Sequence, residues 1–230
     1  MAISCIKLCL VLLFFLASFT IPLDCFPDIH PKTTVALVVF GDSLFDPGNN
    51  DSIKTTTEFQ ANFPPYGESF FKYPTGRFCD GRVIPDFIAE YAKLNLIPPY
   101  LETHNHQLAN GINFASGGAG ALAETNTGLV IDLKMQLRNF KKVEKQLRMN
   151  LGKRGAQRVV SNAVYLFSIG SNDYLSPLTN NSSIFKLYSP QDYVAMVVGN
   201  ITATFKEIYK KGGRKFGTLN LGPFRLFAET

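Results

Sequence analysis

The chain has 230 residues, 46% of them hydrophobic and 13% aromatic, which is enough for the core of one α/β domain and excludes a disordered polymer. Its net charge of +5 favours anionic surfaces, yet the densest basic stretch, Lys134 to Arg158, has helical apolar spacing, so its charges read first as a solvated face and not as a nucleic-acid site. Four cysteines at scattered positions supply neither a disulfide framework nor zinc-ligand spacing.

The apolar block Leu8 to Phe19 follows Lys7 and precedes Pro22 and Cys25. It is short for a membrane span and suits a secretory leader over about residues 1–25, with the remaining domain at 26–230. Export would carry away Cys5 and Cys9, leaving Cys79 in the mature core and Cys25 at the boundary. In an exported chain Asn50, Asn180, Asn181 and Asn200 head glycosylation sequons, with the Asn180/Asn181 loop the favoured one and Asn50 close to the candidate site.

The first strand is read at Val35–Phe40, a continuous apolar run that ends in Gly41-Asp42-Ser43-Leu44. Asp51 to Tyr73 is irregular, aromatic and punctuated by Pro64-Pro65, suited to walling a pocket or simply to packing. Val83 to Tyr91 has helical spacing, with Ile84, Phe87, Ile88 and Tyr91 on one face. A second strand at Gly111–Ala115 enters the glycine-rich loop Ser116-Gly-Gly-Ala-Gly120. The basic helix follows, its core stripe read as Leu133, Leu137, Phe140, Val143 or Glu144, Leu147 and Leu151. A third strand at Ala163–Ile169 enters Gly170-Ser-Asn-Asp173, a helix spans Pro190 to Lys210, and a fourth strand lies near Phe216–Leu221. Alternating strands and helices predict a parallel sheet covered on both faces.

Three strand-end loops thus carry a serine, glycines and an asparagine, which together suit acyl transfer: a nucleophile plus N–H donors for an oxyanion. Gly118-Ala-Gly120-Ala-Leu-Ala123 fits a loose dinucleotide pattern, but the residues after it read as a loop where that fingerprint needs a helix. The nucleophile elbow G-x-S-x-G, the zinc motif H-E-x-x-H and the phosphate loop G-x-x-x-x-G-K-[ST] are all absent from the sequence, so no cofactor or metal is expected.

The ordered set Phe40-Gly-Asp-Ser43, Asp46-x-Gly48-Asn-Asn50, Pro74-Thr-Gly-Arg77, Asp80-Gly-Arg82, Asn113-Phe-Ala-Ser-Gly-Gly-Ala-Gly120 and Gly170-Ser-Asn-Asp173 resembles the plant GDSL esterase/lipase family of SGNH hydrolases. The resemblance runs from about Val35 to Gly222. It implies a three-layer α/β/α, flavodoxin-like fold and a secreted serine esterase or lipase acting on acyl or acetyl esters. Ser43 would be the nucleophile, Gly117 a backbone oxyanion donor with Gly118 as the alternative if the pair aligns one place later, and Asn172 a side-chain donor. The family carries its Asp and His in a D-x-x-H motif beyond the equivalent of Thr230, and no D-x-x-H occurs here. His30, His104 and His106 are the histidines present, all read as solvated loop residues. The expectation is a C-terminally truncated form, with a binding or decoy protein, or an unstable fragment, as the alternative to an efficient esterase. Acidic cell-wall polymer or a membrane surface is the expected secondary partner.

Overall fold

The computed structural model describes residues 35–103, 111–179 and 183–221. The residues read as a leader, His30, His104, His106, Asn180 and Asn181 lie outside the described residues, and so does Cys25.

Four strands, β1 (Leu37–Gly41), β2 (Gly111–Asn113), β3 (Val164–Ser168) and β4 (Lys215–Thr218), form an all-parallel sheet in the order β2-β1-β3-β4. β1 lies inside the sheet between β2 and β3, and all five of its residues are buried, which is why its sequence is continuously apolar and not alternating. Pleating sorts those residues between two cores. Val38 and Phe40, with Ile112, Phe114, Tyr165 and Phe167, face one apolar layer, and Leu37 and Val39, with Ala115, face the other. Phe40 is the hinge of the first layer, stacked on Phe167 at 4.8 Å between ring centroids and on Phe114 at 5.3 Å.

The first layer is closed by helices α2 (Leu133–Asn162) and α5 (Pro190–Lys210), and the second by α1 (Ile84–Tyr91), giving the expected three layers. Two short helices, α3 (Ser171–Thr179) and α4 (Ile184–Leu187), fill the β3–α5 connection. Helix α1 is set by Asp86, whose carboxylate accepts the Val83 N–H at 3.0 Å and is paired with Arg77. Asp132 caps α2 by accepting from the Met135 N–H at 2.8 Å, and Ser189 caps α5 the same way from Asp192, with Pro190 in the first turn.

Strands β1 to β3 differ from the sequence reading by one or two residues at their ends, and two differences reach further. Helix α2 contains the whole basic stretch Lys134–Arg158 but leaves helical geometry at Gly152 (φ 69°, ψ 172°). The apolar stripe therefore stops at Leu147, and Leu151, read as core, is 52% exposed. β4 is shorter than Phe216–Leu221. Leu219 still donates to the Phe167 carbonyl at 2.8 Å, but the ladder ends there, and Leu219 and Leu221 are both exposed.

β1 and β3 run in register, Phe40 opposite Phe167 and Gly41 opposite Ser168, so they end at one level. The chain leaves β1 for β2 on one side and returns past it to β3 on the other. That reversal opens a crevice at the carboxyl ends of β1 and β3, where parallel sheets of this kind take their ligands.

Candidate active site

Ser43 sits on the turn that leaves β1. Gly41 is needed there because a Cβ would come within 2.5 Å of the Ser168 carbonyl oxygen, so only glycine lets β1 end this close to β3. The Asp42 carbonyl then accepts N–H bonds from Phe45 (3.1 Å) and Asp46 (3.0 Å), closing a tight turn around a half-buried Ser43. Gln136 of α2 clamps the strand end from below: its amide oxygen accepts the Gly41 N–H at 3.0 Å and its amide nitrogen donates to the Gly41 carbonyl at 2.8 Å.

Three buried carboxylates lock the strand-end loops together. Asp42 accepts from Ser171 Oγ at 2.9 Å, fastening the serine turn to the loop after β3. Asp46 accepts from the N–H groups of Gly48 (2.8 Å) and Asn49 (2.7 Å) and, across the site, from Gly117 at 2.8 Å. Asp173 accepts from the N–H groups of Ala121 (2.8 Å) and Leu122 (3.0 Å) and from Thr125 Oγ1 (2.6 Å), fastening the third loop to the glycine-rich one. None of the three pairs with Lys or Arg among the described residues. Burial is the largest influence on each and raises its pKa, Asp42 to about 6 and Asp46 to about 7, while the donated hydrogen bonds pull the other way.

Asn172 stands at the start of α3, and its amide nitrogen donates to the Ala119 carbonyl at 3.0 Å. One amide hydrogen orients the side chain against the glycine-rich loop, and the other is available to a ligand. Gly117 requires a correction. Its N–H, assigned by resemblance as an oxyanion donor, is held by Asp46, so it tethers the loop and is not free for substrate. The next residue, Gly118, has φ +78°, the ring of Phe59 fills the space a Cβ would need, and its N–H has no acceptor among the described residues. The Ser43 N–H has none either. Donors of this kind, fixed before any ligand arrives, suit a carbonyl oxygen that gains negative charge.

Asn50 also requires a correction as a glycosylation acceptor. It is fully buried, and its amide nitrogen donates to the carbonyls of Phe59 and Gly117, both at 2.8 Å, so no face of it is left for a glycan. Asn200 lies exposed on α5.

A family model described as GDSL-like Lipase/Acylhydrolase matches residues 37–229. The chain belongs to that family. It is 60% identical over 191 residues to "GDSL esterase/lipase 1" of Arabidopsis thaliana, covering 82% of this chain and 51% of that protein. It is 48% identical over 221 residues to "GDSL lipase" of Tanacetum cinerariifolium, covering 96% of this chain and 58% of that one. The chain spans about half the length of the curated relatives it matches.

In this GDSL member the motif around Asp46 gains a physical meaning that spacing alone does not convey. Asn49 donates to the carbonyls of Asn113 (2.9 Å) and Ala115 (2.8 Å), and Asn113 donates to Phe45 (2.7 Å), so the asparagines stitch β1 to the β2 loop. Gln136 and Thr125 carry no motif in the sequence, and Asn113 enters there only as the first residue of the glycine-rich motif. For Gln136 a signal existed: a polar residue on the buried stripe of a helix, between Leu133 and Leu137. Beyond the donors, Asn126 donates to the Gly118 carbonyl at 2.8 Å and lines a cleft of about 440 Å³ with Leu122, Leu129, Pro177 and Tyr193.

Proposed function

We propose that the chain carries the nucleophile and oxyanion side of an ester hydrolase acting on acyl or acetyl esters. Ser43 Oγ attacks the acyl carbonyl carbon, and its proton passes to a base. The oxyanion is received by the Asn172 amide and the Gly118 N–H, with the Ser43 N–H beside them. The C–O bond to the alcohol then breaks to leave an acyl-serine, and water releases the acid. The observation carrying this reading is the interlock of the three loops, which fastens the loops bearing Gly118 and the Asn172 amide to the serine turn at the β1–β3 crevice. Export through the leader at 1–25, and glycosylation at Asn180, Asn181 or Asn200, belong to the same reading and rest on the sequence alone.

A second reading is ester binding without efficient turnover, favoured by the lack of any D-x-x-H in the 230 residues. One experiment separates the two. Hydrolysis of short and medium p-nitrophenyl esters by the purified chain is compared with that by Ser43→Ala from the same host. Turnover that falls to background in Ser43→Ala, and by about 10²–10³ in Asn172→Ala, supports the esterase. Equal background rates from all three folded proteins overturn it in favour of the binding reading.

A further inference from the structure

The chain's positive charge is concentrated in one element. Helix α2 holds nine of the 23 Lys and Arg and one of the 18 Asp and Glu, so the rest of the chain, with 14 cations against 17 carboxylates, is net acidic. That one carboxylate, Glu144, is buried and already engaged by Arg148 and Lys211. Lys141 is likewise paired, with Glu207 of α5 at 2.7 Å.

What remains is a row. Lys134, Arg138, Lys142 and Lys145 are exposed and follow one another at spacings of four, four and three residues, so they share a face of α2 opposite its buried stripe. At 1.5 Å per residue the row runs about 16 Å, with neighbouring cations about 6 Å apart. None of the four has a carboxylate partner among the described residues; Lys142 bonds only the Asn139 side-chain oxygen, at 3.3 Å. Arg82, Lys210 and Lys211 are paired, with Glu90, Glu207 and Glu144, while other cations unpaired among the described residues, such as Lys54, Lys72, Lys93 and Lys186, are scattered over the surface and do not form a row. Asp132, just before Lys134, is occupied in capping the helix.

We propose that this ridge of α2 is a docking surface for a linear polyanionic polysaccharide bearing one carboxylate per sugar. A straight row of point charges fits a regularly charged linear chain, and binding breaks no existing ion pair. An anionic bilayer fits less well, because a helix lying on lipid needs large apolar residues flanking its cations along its length, and this face presents only two exposed methionines at its ends, Met135 beside Lys134 and Met149 one turn beyond Lys145. Single-stranded nucleic acid fits less well because the row has no aromatic side chain on which bases stack.

The test uses the full chain and fluorescently labelled polygalacturonate, with its fully methyl-esterified form as the uncharged control. Affinity is measured at low and moderate salt for the wild type and for two variants of equal net charge. The ridge variant carries Lys134→Gln, Arg138→Gln, Lys142→Gln and Lys145→Gln. The control variant carries Lys54→Gln, Lys72→Gln, Lys93→Gln and Lys186→Gln, all exposed and scattered. The expected result is salt-sensitive binding to the charged polymer alone, weakened about tenfold or more in the ridge variant and less than about twofold in the control. Equal weakening in both variants would reduce the effect to net charge and overturn the proposal. Absence of binding, or tighter binding to phosphatidylserine vesicles or to DNA of matched charge, overturns it too. Ester hydrolysis plays no part in the readout, so this result stands or falls apart from the esterase reading.

Discussion

Two regions beside the serine turn bury aspartates, and they do so in opposite ways. Beneath the serine turn, Asp42, Asp46 and Asp173 are buried with no cation among the described residues and are held by N–H and hydroxyl donors alone. In the aromatic segment between residues 59 and 91, the buried Asp86 is gripped by Arg77 through two bonds of 2.7 and 3.0 Å, and Arg77 in turn reaches the Pro47 carbonyl and stacks over Phe71. A guanidinium neutralises its partner and ties two chain segments together. Backbone donors leave the carboxylate's charge unneutralised, but they fix those N–H groups in space. The contrast explains where each device is used: the ion pair fastens the wall to the fold, and the cation-free carboxylates shape the loops that face a ligand.

Breaking the ion pair should have the larger effect on stability. Arg77→Met strands Asp86, whose side chain is 1% exposed, with no counter-charge. Removing one partner of a buried pair costs about 3–5 kcal/mol. The midpoint of urea unfolding should fall accordingly, and Arg77→Met together with Asp86→Leu should recover part of the loss. A double variant no better than the single one would show that Arg77 matters through its other contacts, with Pro47 and Phe71, and not through Asp86.

Asp46→Ala should come next, at about 2–3 kcal/mol, because it orphans the N–H groups of Gly48, Asn49 and Gly117 without stranding a charge. Its signature lies in the site as much as in stability. With Gly117 untethered the glycine-rich loop loses its register against Ser43, so labelling of Ser43 by an activated phosphonate ester, read by intact mass, should slow more than it does in Arg77→Met. The opposite order would mean that Asp46 is a packing residue only.

Much of this was legible before any coordinates. Continuous burial of β1 follows from the apolar run that ends at Phe40, and the three strand-end loops follow from glycine, serine and asparagine at strand ends. Lateral commitments were less visible. Nothing in the spacing of Gly117 and Gly118 says which N–H faces the site, because that depends on a carboxylate 71 residues earlier in the chain. Asn50 reads as a sequon close to the candidate site, and only the structure has the carbonyls of Phe59 and Gly117 consume its amide. Leu151 fits the apolar period of α2, but the period fails at Gly152, where a left-handed residue turns the helix away. In each case a long-range contact or a single backbone angle decided what local pattern left open.

A third test reads the cation-free carboxylates through pH. An unfolded Asp releases its proton near 3.8, whereas burial raises Asp42 to about 6 and Asp46 to about 7, and shifts Asp173 in the same direction. Between those values the native state holds more protons than the unfolded one, so stability is fully present at the acid end and is lost as pH rises through about 6 to 7. Stability, and with it the Tm, should therefore be greater at about pH 5 than at about pH 8. Asp46→Asn, which never ionises, should flatten the profile on its basic side, while Arg77→Met lowers the whole curve without removing that slope. A wild-type Tm that rises from about pH 5 to 8 would mean that the N–H donors outweigh burial and that these carboxylates are charged in the folded protein throughout.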